Sequence, residues 1–196
     1  MKFLLLCALL STPLSAQSVV PKFDKLPPVI ISNCVLHDSY GFIWIGDQGG
    51  LIKYDGYKFK RYTQIPFDST SLSNNWVMAI KEDKKGNLWV GTHGGGLNYF
   101  DQRTQKFTQF KHDKNNPNTI SSNIIFRILV NNDGSLWVGT MDQGLIYMKI
   151  DSNGTAYYKN YDLNIDPNPP VRSGDNFVLD LYKPYRIGCP KGTTIY

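Results

Sequence analysis

The sequence is poor in the residues from which small catalytic and metal centres are built. Cysteine and histidine occur three times each in 196 residues. Cys7 falls in an apolar N-terminal run, which leaves Cys34 and Cys189 at opposite ends of the chain with no zinc or redox spacing. They read as two buried thiols rather than a bridge. His37, His93 and His112 lack metal-like spacing and an accompanying cysteine cluster, so no metal site is expected. The glycine run 94–96 lacks the lysine and the serine or threonine of a phosphate loop, and a strand follows it, so no cofactor is expected. Arginines are few and scattered, and acidic residues recur at turns. The carboxylate pair of a glycosidase is therefore missing, and no catalytic residue is assigned. Beyond the N-terminus no apolar run approaches the roughly 20 residues of a membrane span.

Charge is not concentrated either. The formal net charge is +5, with lysines spread along the chain. The densest group is Lys58, Lys60 and Arg61, interleaved with Tyr57, Phe59 and Tyr62. It could stack on and neutralise a polyanion, but it reads better as a charged edge strand.

What is present is a leader, many aromatics and a repeat. Lys2, the apolar run Phe3 to Leu10 and the small residues up to Ala16 read as a secretory signal over 1–16, with 17–28 as a linker. Export argues against a nucleic-acid partner. Aromatics at 13% and seventeen glycines favour strands and tight turns. The hexapeptides GFIWIG (41–46), GNLWVG (86–91) and GSLWVG (134–139) are one motif, with 45 residues from Trp44 to Trp89 and 48 from Trp89 to Trp137. An alternating run precedes each motif, and two strand-like runs around a turn follow it. Glycine and the Asp or Asn before it suit the hairpin turns that precede each tryptophan. Gly46, Gly91 and Gly139 would let backbones approach closely, and the tryptophans would pack between sheets. Four-stranded units of this period are propeller blades. The expected fold is all-β: a partial β-propeller over 29–196, with blades at about 29–65, 74–112 and 122–162 and an incomplete fourth at 175–196.

The units resemble the two-component regulator propeller repeat, whose signature runs Asp-x-x-Gly-x-Leu-Trp-Ile-Gly-Thr, a glycine pair, Leu and later Tyr-Asp. DSYGFIWIGDQGGLIKYDG (38–56) and EDKKGNLWVGTHGGGLNYFD (82–101) follow it nearly throughout, as do the linkers TSLSNNWV (70–77) and NTISSNII (118–125). The resemblance implies the N-terminal part of the extracytoplasmic sensor of a hybrid two-component histidine kinase of the Bacteroidetes kind. It further implies an oligosaccharide ligand, further blades and downstream sensor domains as partners, a homodimeric full-length protein and an inner-membrane anchor. The turns before the tryptophans also resemble the Asp-box hairpins of sialidase propellers, so a sialidase-like or other glycosidase fragment and a lectin-like module remain open.

Repeated positions maintain a blade, so candidate ligand-binding residues are those that differ between units. Asp47 follows Gly46 where the other units have Thr92 and Thr140, and the first unit is one residue shorter between Trp and Leu. With that gap, Asp47, His93 and Met141 are expected to share one column and Gln48, Gly94 and Asp142 the next. Asp142-Gln143 replaces the expected glycine pair. Trp76, set against Ile124 and Phe177, is an aromatic at the start of an inner strand that could stack on a sugar ring. Asp47, His93, Met141, Asp142 and Trp76 form the candidate set.

Overall fold

The computed structural model describes residues 32–161. The expected signal over 1–16, the linker over 17–28, the incomplete blade over 175–196, and with it Phe177 and Cys189, lie outside the described residues.

The described chain forms three four-stranded antiparallel sheets, each built from consecutive strands. The first holds β1 (Ser32–His37), β2 (Ile43–Asp47), β3 (Gly50–Tyr54) and β4 (Phe59–Tyr62). The second holds β5 (Val77–Glu82), β6 (Leu88–Thr92), β7 (Gly96–Asp101) and β8 (Lys106–Phe110). The third holds β9 (Ile125–Val130), β10 (Leu136–Thr140), β11 (Leu145–Ile150) and β12 (Ala156–Tyr161). Strand β5 packs against both β1 and β9, so the first strands of the three sheets stand side by side, as blades do around a propeller axis.

The hairpin entering each second strand is closed by side chains, as the sequence suggests. Asp38 Oδ1 accepts from the N–H of Tyr40 (3.0 Å) and Phe42 (2.8 Å), and Asp83 Oδ1 accepts from Lys85 (2.8 Å) and Asn87 (2.9 Å). In the third sheet the duty passes to Asp133, whose Oδ1 accepts from the Ser135 N–H at 3.1 Å. Gly41, Gly86 and Gly134 take φ of 88°, 78° and 82° in these turns, a region glycine enters without the cost other residues bear.

The seams between sheets rest on the repeated hexapeptide. A Cβ at Gly46 would lie 2.5 Å from Val77 of the next sheet, and one at Gly91 would lie 2.6 Å from Ile125. Only glycine permits that approach. Trp44 is wholly buried in a cluster with Leu72, Val77, Ile80, Leu88 and Phe100 of the second sheet and its linker. Trp89 is buried in the next cluster, with Ile120, Ile125, Ile128, Leu136 and Val138. Each tryptophan also meets an aromatic of its own outer strand: Tyr62, Phe110 and Tyr161 lie 5.9, 5.7 and 5.6 Å from Trp44, Trp89 and Trp137. Trp137 is half-buried among the described residues.

Candidate functional site

Two kinds of segment meet at one end of the sheets: the turns joining second to third strands, and the linkers that enter each new sheet. Backbone hydrogen bonds lock them together. The His93 N–H donates to the Trp76 carbonyl (2.9 Å), and the Met141 N–H donates to the Ile124 carbonyl (3.1 Å), the same bond one sheet later. His93 also forms an isolated bridge with Ile124, and the N–H groups of Gly94 and Gly96 both donate to the Asn123 carbonyl at 2.9 Å.

These bonds place Trp76, His93, Ile124 and Met141 in a row spanning two sheets. The His93 ring stacks on Trp76, with centroids 4.3 Å apart and planes within 21°. Trp76 and Met141 remain 37% and 38% exposed, enough to offer a face to a ligand. Three of the five candidate residues thus come together, including two separated by seventeen positions in the sequence.

Asp47 stands elsewhere, and its expected column is corrected. Strand pairing sets Asp47 against Gly50 as it sets Thr92 against Gly96, and Thr140 Oγ1 donates to the Gly144 carbonyl at 2.7 Å in the third sheet. Asp47 therefore occupies the threonine column, and the first turn is one residue shorter between that column and the glycine paired with it. The carboxylate is buried and clamped: Arg61 donates from Nη1 to Oδ1 (2.7 Å) and from Nη2 to Oδ2 (3.0 Å), and the Gly49 N–H donates to Oδ1 (2.7 Å). A bidentate pair of this kind braces the turn. Gln48 is exposed beside it. Asp142 is exposed in the third turn and accepts from Ser122 Oγ at 2.5 Å, beside the row rather than in it.

Two polar features escaped the sequence reading. Asn98, wholly buried in β7, accepts from the Ser73 N–H (3.0 Å) and donates to Ser73 Oγ (2.8 Å). Its only sequence signal is an amide where the equivalent strands carry Ile52 and Ile146. Asp38 closes a turn and also crosses a seam, since Oδ2 accepts from Trp44 Nε1 (2.7 Å) and from Gln102 Nε2 (3.0 Å) of the second sheet. Burial alone would raise its pKa, but the hydrogen bonds from Trp44, Gln102, Phe42 and Tyr40 outweigh it and hold the carboxyl below the usual range. Cys34 is a free thiol whose pKa burial pushes up to about 12, so it behaves as a core residue and not as a nucleophile. Among the described residues no three His, Cys, Asp or Glu side chains gather as a metal site would require.

The model of the two-component regulator propeller matches residues 71–94 and 119–142, each a linker followed by the first two strands of a sheet. These two segments of the second and third sheets thus match the two-component regulator propeller repeat. The chain is similar to histidine kinase P4 of Formosa agariphila, 35% identical over 74 residues, which is 35% of this chain and 5% of that one. In structure it is similar to an extracellular domain assigned to a hybrid two-component system of B. thetaiotaomicron, with a TM-score of 0.65 at 24% identity over 76% of this chain and 20% of that one. A second extracellular domain from B. thetaiotaomicron, assigned to a one-component system, superposes with a TM-score of 0.54 at 25% identity over 68% of this chain and 19% of that one. The chain thus spans about a fifth of these solved propeller domains and about a twentieth of the kinase. Trp89, Trp137 and the glycines beside them recur between the two matched segments, as scaffold does. Trp76 and His93 lie in the first segment but have no counterpart of the same type in the second.

Proposed function

We propose that this chain is the N-terminal part of an exported sensor propeller of a two-component system, and that ligand meets the end of the blades carrying Trp76, His93 and Met141. The observation that carries the reading is the exposed Trp76–His93 stack on blades of the regulator-propeller type. A stacked aromatic pair offers a flat apolar face, and the surrounding turns offer amide and hydroxyl groups, the combination that holds a sugar ring. The ligand class is accordingly a neutral oligosaccharide. Binding would alter the relation of these blades to the rest of the sensor and thereby the state of a distant kinase. The segment itself acts as a binding element, and the chemistry of phosphoryl transfer belongs to other domains of the parent. The relatives support this reading: one is named a histidine kinase and another is the extracellular domain of a hybrid system.

Calorimetric titration of neutral oligosaccharides against the complete ectodomain tests it. A saccharide that binds the wild type and loses at least about tenfold in affinity, roughly 1.4 kcal/mol, on Trp76→Ala supports the proposal. Binding unaffected by Trp76→Ala and His93→Ala together would move the ligand elsewhere.

A further inference from the structure

The linkers entering the second and third blades are copies of one another, yet they are sealed differently. Asn75 and Asn123 hold the first turn of each, accepting from the N–H of Gln64 (2.7 Å) and His112 (2.8 Å). Ser73 and Ser121 occupy the same place two residues earlier. In the second blade Ser73 is closed over: its Oγ accepts from Asn98 Nδ2 at 2.8 Å, and a Cβ at Gly95 would come within 2.4 Å of that oxygen. The third blade changes both partners. Strand register sets Ile146 opposite Val138 as it sets Asn98 opposite Val90, so an isoleucine stands where the amide was. Gln143 stands where Gly95 was, and its side chain cannot share the space that Gly95 leaves to Ser73.

Two consequences are visible. Among the described residues Ser121 Oγ is buried without a hydrogen-bond partner, which is destabilising. The linker and the third turn also form an open groove of about 640 Å³, lined in part by Pro117, Ser121, Asp142, Gln143 and Asn160. That volume lies in the range of small-molecule sites.

We propose that this groove binds a single neutral sugar ring, with the exposed Pro117 ring against its C–H face and Asp142, Gln143 and Asn160 at its hydroxyl edge. Hydroxyls both donate and accept, which suits a mixed lining of carboxylate and amides. His112 and Lys114 are set against Asp113 and Asp142 around the groove, so among the described residues no cationic cluster is present to select a phosphate or carboxylate. Ser121 supplies the remaining hydrogen bond: turning about χ1 to another staggered well exchanges an unpartnered position for one that a ligand hydroxyl can meet. The site uses neither Trp76 nor His93 and does not depend on the sensor reading.

The test is an amide-resolved NMR titration of the full chain with D-glucose, D-galactose, D-xylose and L-arabinose separately, and with glucuronate and glucosamine as charged counterparts. At least one neutral sugar should shift amides of 119–124 and 141–143 saturably, with the charged sugars much weaker. Asp142→Asn, an exposed change that leaves the core intact, should weaken that binding about tenfold. Ile146→Asn, which restores the second blade's partner for Ser121, should weaken it at least as much. No shift in these segments with any of the four neutral sugars overturns the proposal, as does equal affinity in Asp142→Asn and the wild type.

Discussion

The seam between the first and second blades and the seam between the second and third use the same backbone plan with different side chains. In the first, Trp44 is sealed among Tyr62, Phe100 and Phe107, and the Asp38 carboxylate ties its indole to Gln102 across the boundary. In the second, Trp89 meets a mainly aliphatic surface of Ile120, Ile125, Ile128 and Val138. The glycine contact is the constant element: Gly46 against Val77, and Gly91 against Ile125. What must repeat is therefore the close approach of sheets, and the filling on either side is free to vary.

Removing the filling should have the largest effect. Trp44→Ala is expected to cost about 3–5 kcal/mol, as truncation of a wholly buried aromatic does, and Trp89→Ala nearly as much. Urea denaturation of the two variants measures both losses, and a loss below about 1 kcal/mol at either tryptophan would break the comparison. The constant element comes next. Gly91→Ala sets a methyl 2.6 Å from Ile125 and should cost about 1–3 kcal/mol by overpacking. The double variant with Ile125→Ala should be less destabilised than the sum of the single changes, and strict additivity would deny that the two residues meet.

A smaller effect separates the seams by pH. Asp38 has its folded pKa lowered, so its contribution is present above the unfolded value of about 3.9 and is lost as pH falls through the folded value. Asp38→Asn turns an amide donor towards Trp44 Nε1 and Gln102 Nε2 and should cost about 1–3 kcal/mol at pH 7. The gap between variant and wild type should close below pH 4, and a gap independent of pH would remove the charge from the account. Smallest of all is Trp76→Ala, which should change stability by about 1 kcal/mol or less, since the indole is partly exposed and rests on one ring.

The repeat made the fold legible because each blade needs the same turn glycine, the same tryptophan and the same close-approach glycine at one spacing. The twelve described strands fall where alternation and those markers put them. The site was legible only in part. His93 and Met141 stood out as positions that differ between copies, but nothing in sequence spacing tells that the Trp76 ring lies under His93. That contact follows from a backbone hydrogen bond between linker and turn. Asp47 misled because a one-residue deletion in a turn can be placed on either side of it, and only strand pairing with Gly50 decides. Asn98 stayed hidden because a buried amide and an exposed one look alike until its partners are known.

The central claim is a division of labour: repeated residues hold the blades, and Trp76 with His93, which do not repeat, meet the ligand. One paired measurement tests it most directly, namely oligosaccharide titration and urea unfolding of the complete ectodomain carrying Trp76→Ala. The account predicts at least about tenfold weaker binding with stability changed by no more than about 1 kcal/mol. Unchanged affinity, or a stability loss as large as that of Trp44→Ala, would contradict it.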